Sequence, residues 1–217
     1  MPTTTLEALV ATARTEGWAA GAGTLEEIRS QAAELDWTET PMRRGDPPVS
    51  KLRPLSRAAA RPNSLSSRYG MGGQPLHTDG AHLEEPPDVV VLASTTTSQV
   101  PTRLWKKIPF GTYVPGPIDL MTHGVFLVAN GRDSFFATAH SGSRYRYDPG
   151  CMTPCDERAR QAAAYFGAAN DEAIDFFWDE PGKLLVINNR LTLHARAAAD
   201  QEPERELERV AFRGVWT

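Results

Sequence analysis

From Ser67 onward the chain is cut into short apolar runs, β-branched or aromatic, each ended within a few residues by Gly, Pro or Asn. Such punctuation leaves room for little but a fold of many short strands. The candidate strands cover 88–96, 102–106, 125–129, 134–139, 173–178, 184–188, 192–197 and 208–216. About eight strands spaced this way predict a mainly β fold with flanking helices, a jelly roll in which two antiparallel sheets close over a central pocket. One helix interrupts them, capped by Asp156, running through Arg160 and Tyr165 and expected to stop at Gly167. Ahead of the strands the character differs. An Ala- and Leu-rich run over 6–14 reads as a helix, and Thr24 caps a second one, with Glu27 placed to complete a capping box, that runs to Leu35. Residues 37–67 are rich in Pro, Arg and Ser without periodicity, so they are expected to wrap irregularly around the core. At 217 residues the chain is long enough for one substantial core. One domain is expected, with 1–63 as a helical and irregular wrap and 64–217 as the jelly roll.

Charge narrows the partners. The net charge of −4 arises from 23 basic and 27 acidic residues, a nearly even mixture that gives no reason to expect a nucleic-acid partner. No apolar run approaches the roughly 20 residues that span a bilayer, and Met1-Pro2-Thr3-Thr4-Thr5 does not open a signal segment, so a cytoplasmic, membrane-free protein is expected. Cys151 and Cys155 are too few for a disulfide framework and lack a second pair for zinc, so they read as ordinary thiols. Oligomeric state stays open, because exposed apolar patches belong to the folded surface.

Within Gln74-Pro75-Leu76-His77-Thr78-Asp79-Gly80, a histidine and a carboxylate stand two residues apart. In a strand such residues point to one face, so both could grip one ion. His194, on a candidate strand far along the chain, could supply a third ligand, and two imidazoles with one carboxylate make the facial triad of non-haem Fe(II) oxygenases. A His-x-Asp triplet alone is common by chance, and a lone strand histidine is usually just hydrogen-bonded. The C-terminal arginines add weight. Arg209 and Arg213 have the same parity on an otherwise apolar strand, and a buried guanidinium needs an anionic partner. A bidentate arginine–carboxylate pair is how a dicarboxylate would be anchored beside the metal.

Taken together, His77-x-Asp79, Thr102, Trp178, Gly182, Asn189, His194 and Arg209-x-x-x-Arg213 resemble the taurine dioxygenase and TfdA-like family of Fe(II)/2-oxoglutarate oxygenases, over residues 64–216. The resemblance implies a double-stranded β-helix that uses Fe(II), 2-oxoglutarate and O₂ and releases succinate and CO₂. It implies His77, Asp79 and His194 as iron ligands, Thr102 and Arg209 on the distal carboxylate of 2-oxoglutarate, and Arg213 near the substrate. Arg205 or Arg213 is the alternative anchor. Two departures stand out: Ser98-Gln99-Val100-Pro101 precedes Thr102 where the family has a Gly-Gly-Asp/Glu turn, and Asn188-Asn189 replaces its Asp-Asn pair. Related halogenases lack the carboxylate, so Asp79 points to hydroxylation. Arg213 and the Arg144-Tyr145-Arg146 run suggest a small polar, anionic or zwitterionic substrate, such as an amino acid or a natural-product intermediate, with Arg146 and Arg68 as further substrate contacts. His82, His123 and His140 read as surface or satisfied polar residues. Two competing readings are a non-catalytic, cupin-like binding protein for an acidic ligand and a metal-dependent hydrolase or isomerase on the same scaffold.

Overall fold

The computed structural model describes residues 5–106 and 117–216. Its N-terminal elements are α1 (Leu6–Glu16), β1 (Trp18–Ala22), α2 (Leu25–Glu34), β2 (Thr38–Glu39), β3 (Ser50–Leu52) and α3 (Leu65–Tyr69). Then come β4 (Val89–Ala93), β5 (Ser98–Trp105), α4 (Pro117–His123), β6 (Val125–Ala129), β7 (Ser134–Thr138), β8 (His140–Ser141), β9 (Arg144–Tyr145) and β10 (Met152–Pro154). The chain ends with α5 (Glu157–Ala169), β11 (Ile174–Trp178), β12 (Lys183–Asn188), β13 (Leu193–Arg196) and β14 (Leu207–Arg213). No helix among the described residues is long and apolar enough to cross a membrane.

The main sheet runs β1-β12-β4-β14-β2, with β3 also paired to β14. A second sheet, β11-β5-β13, packs over its inner face, and β10-β6-β7 extends the assembly. This is the double-stranded β-helix. The strand β4 explains why its run reads Val-Val-Val-Leu-Ala without alternation: both of its faces are covered. Val90 and Leu92 join Leu185, Ile187, Leu207 and Ala211 against Leu104 and Trp178 of the second sheet. Val89, Val91 and Ala93, with Val210 and Phe212, pack on the outside against Leu6, Leu9 and Val10 of α1 and Leu25 and Ile28 of α2. Those two helices form for local reasons. Thr5 caps α1, Leu6, Leu9, Val10 and Ala13 recur on one face, and Thr24 and Glu27 complete the capping box of α2.

Several boundaries differ from the sequence expectation, each for a physical reason. The helix α5 passes through Gly167 to Ala169, because that glycine keeps a right-handed backbone and interior glycine only weakens a helix. The strand β5 starts at Ser98 and includes Pro101, which sits where the register with β11 shifts between Phe176 and Trp178, the bulge position at which a ladder tolerates proline. The strand β14 stops at Arg213 because Gly214 turns with φ 78°. The N-terminal wrap is more than helical and irregular: β1 pairs with β12, while β2 and β3 pair with β14, so residues before 63 complete the main sheet.

Candidate metal centre

The two histidines are set by one another. His77 and His194 exchange both backbone N–H···O bonds at 2.9 Å, the closed pair of an antiparallel ladder, which lays their rings side by side with centroids 4.7 Å apart. Asp79 lies two residues on, on the same face. One ligand atom from each of His77, Asp79 and His194 lies within 4.8 Å of the others, and all three residues are buried.

The donor set suits a transition metal. The Nδ1–H of His77 donates to the Pro75 carbonyl at 3.0 Å, which leaves the Nε2 lone pair open. Burial lowers the His194 pKa to about 3, so its imidazole is neutral. Burial alone would raise the Asp79 pKa, but the charges around it, the Arg209 guanidinium foremost, hold the carboxyl below its ordinary value. The carboxylate is therefore charged. Asp79 Oδ2, 3.6 Å from His194 Nε2, and His194 Nδ1 are both buried without a hydrogen-bond partner. Such orphaned atoms are rare in a folded interior and call for an explanation. A divalent ion held by the two imidazoles and the carboxylate would give Asp79 Oδ2 its missing partner.

These residues sit on the floor of a cavity of about 730 Å³, together with Thr102, Arg205 and Arg209. Thr102 is buried on β5, and its hydroxyl accepts from Trp178 Nε1 at 3.2 Å. Arg209 Nη1 lies 2.7 Å from Asp79 Oδ1, so its first partner is the candidate ligand itself, and its Nε has none. Arg205 is buried, donates from Nε to the Val100 carbonyl at 3.2 Å, and leaves Nη2 unpartnered; burial lowers its pKa to about 10. The sequence hint to Arg205 was its place in the odd-numbered series 205, 209, 213. A further wall comes from residues 42–66, including Arg43, Lys51, Arg53 and Arg61, with Asp46.

The remaining substrate candidates lie elsewhere. Arg213 keeps the parity of Arg209, but four strand residues carry it about 13 Å along the sheet. It lines a separate depression of about 640 Å³ with Arg144, Arg146 and Arg190, and its guanidinium donates to the Glu85 carbonyl. Arg146 is spent on the same loop, donating to the carbonyls of Ala81 at 2.6 Å, Leu83 at 2.5 Å and Glu84 at 2.8 Å. Arg68 donates to the Pro149 carbonyl at 2.9 Å and does not line the cavity. His82 and His140 have polar partners, Met42 O and Thr122 Oγ1, and His123 pairs with Asp119. Both cysteines are free thiols, and burial pushes that of Cys151 up.

Neither a protein-family model nor a curated protein matches the sequence. Solved structures do. An asparagine oxygenase in complex with Fe(II), 2S,3S-3-hydroxyasparagine and succinate superposes with a TM-score of 0.66 at 18% identity, over 94% of this chain and 77% of that one. The non-haem iron oxygenase OrfP, with Fe, succinate and (3S)-hydroxy-L-Arg, gives 0.68 at 16% identity, over 96% and 80%. PvcB from Pseudomonas aeruginosa gives 0.66 at 16% identity, over 97% and 82%. The shared property is the fold. At these identities the chemistry has to be argued from the site.

Proposed function

We propose that the protein is an Fe(II)/2-oxoglutarate-dependent dioxygenase that hydroxylates a small polar substrate, such as an amino acid or a natural-product intermediate, and releases succinate and CO₂. The observation that carries this reading is the buried His77–Asp79–His194 cluster, with the carboxylate oxygen Asp79 Oδ2 left without a hydrogen-bond partner, on the floor of a cavity whose other floor charges are guanidiniums. His77, Asp79 and His194 would hold the iron. Bound iron supplies the activation of O₂ that is coupled to decarboxylation of the 2-oxo acid. Thr102, Arg209 and Arg205 would receive the distal carboxylate, and the unpartnered Nε of Arg209 and Nη2 of Arg205 support that role. Residues from 42–66 line the same cavity and would border the bound co-substrate. Asp79, present where halogenases lack a carboxylate, favours hydroxylation, and the hydroxylated amino acids bound by the asparagine oxygenase and OrfP support an amino-acid-like substrate.

The test is the anaerobic absorption spectrum of the protein with Fe(II) and 2-oxoglutarate. The expected result is a weak visible charge-transfer band, absent in Asp79→Ala, with succinate formed once air is admitted. A protein that binds 2-oxoglutarate without the band is a binding protein and refutes the proposal.

A further inference from the structure

The ladder that joins the two histidine segments breaks at an informative place. His77 exchanges two bonds with His194 in an isolated antiparallel bridge, so a ladder continued in that register would set Thr192 opposite Asp79. Thr192 is turned away, its N–H donating to Asn188 O and its hydroxyl to Gly17 O, each at 2.9 Å. The side chain of Asn189 stands in for the missing strand. Its Oδ1 accepts the Asp79 N–H at 2.9 Å, and its Nδ2 donates to Asp79 O and to Pro87 O, both at 2.9 Å. Asn189 is fully buried, at 0% exposure, and its own N–H is tied to Asp88 O at 2.9 Å, so the carboxamide has no freedom to turn elsewhere. One side chain thereby takes up both backbone groups of Asp79, from a segment that delivers His194 five residues later.

We propose that Asn189 is a positioning residue for the metal centre: its carboxamide replaces a strand at Asp79 and fixes that residue's backbone so that the carboxylate faces His77 and His194. The inference rests on the metal-centre reading above. A carboxamide is the side chain that presents an acceptor and a donor together, as a peptide does, and it ties the Asp79 position to the His194 segment rather than to the loop that follows. Residues that orient metal ligands in this way typically contribute about 10–100-fold in metal affinity.

Co(II) is a suitable probe, because its binding and visible d–d band are read without turnover. In titrations of the folded protein, Asn189→Ala should bind Co(II) about 10–100-fold more weakly than the native chain, with an altered band. Asn189→Ser, which can keep one of the three bonds, should fall between them, and it supplies the measurement if Asn189→Ala does not fold. A role confined to stability would lower the melting temperature and leave the affinity and the band of the folded variants unchanged. That result overturns the proposal, provided the native chain binds Co(II) and Asp79→Ala does not. A native chain that fails to bind Co(II), or binds it as well after Asp79→Ala, overturns the metal-centre reading and this inference with it.

Discussion

Replacing Arg209 with methionine keeps an apolar stem of similar length and removes the cation 2.7 Å from Asp79 Oδ1. The carboxylate side chain left behind is only 6% exposed, and breaking a buried pair by removing one partner typically costs about 3–5 kcal/mol. The lower end, about 3 kcal/mol, fits this site, because the Arg209 side chain is itself 17% exposed. For a chain of this size 1 kcal/mol moves the melting temperature by about 2–4 °C, so Arg209→Met should melt about 6–12 °C below the native protein in chelator. With saturating Mn(II) the deficit should shrink to a small part of that, since the ion supplies the missing positive charge, and ligands that bind only the folded state stabilise it by mass action. Thermal melts of both proteins, each with chelator and with Mn(II), give the four numbers needed. An equal deficit in both conditions would mean that Arg209 contributes packing rather than compensation of Asp79, and no deficit in chelator would mean that the pair does not form.

His77→Ala, Asp79→Ala and His194→Ala should each abolish Fe(II) binding by calorimetry and succinate formation by chromatography; native turnover in any one removes that residue from the ligand set. Arg205→Ala should weaken 2-oxoglutarate binding roughly 30-fold or more, the fold-change that matches about 2 kcal/mol, while Arg213→Ala, outside the cavity, should leave it unchanged; equilibrium dialysis of the metal-loaded proteins decides both. The pH dependence of stability has a definite sign. The unfolded His194 imidazole takes a proton near pH 6.5 and the buried one only near about 3, so the metal-free protein should lose stability as pH falls through that window; Asp79, whose folded pKa is depressed, adds to the loss at the acid end. Urea midpoints should fall between pH 6.5 and 4.5, and His194→Gln should flatten that slope.

The parts of the fold that were legible in the sequence are those whose apolar pattern follows from local geometry. The run within 88–96 read as a strand, which forms over Val89–Ala93, and Thr24 with Glu27 announced a helix start. The strand Trp18–Ala22 was not legible, because Trp-Ala-Ala-Gly-Ala has little β preference of its own and is a strand only through its pairing with β12. The same limit governs the site. Side-chain alternation put His77 and Asp79 on one face, but the 13 Å that separates Arg213 from Arg209 depends on where a cavity opens beneath the strand. Charge made Arg144 and Arg146 look like ligands for an anion. Their actual partners are Asp88 and main-chain carbonyls of Ala81 to Pro87, groups that no side-chain pattern in the sequence advertises.

The charges of the cavity fit the proposed co-substrate for a reason beyond any single contact. On the wall Asp46 answers Arg61, while Lys51 and Arg53 share the carboxylate of Glu206. On the floor Asp79 answers Arg209, and the partly paired Arg205 is left with positive charge held away from water, which burial penalises enough to lower its pKa. A divalent cation at His77, Asp79 and His194 adds two further positive charges to that floor, and among the described residues no other carboxylate lines it. A metal-loaded floor with Arg205 and Arg209 in place is therefore short of negative charge, and a dianion such as 2-oxoglutarate restores it. Metal and co-substrate would then each favour the other through the same guanidiniums. On that ground a neutral or cationic ligand at the floor is a poorer match than a dicarboxylate, whereas the basic groups of residues 42–66 that line the cavity already have carboxylate or main-chain partners.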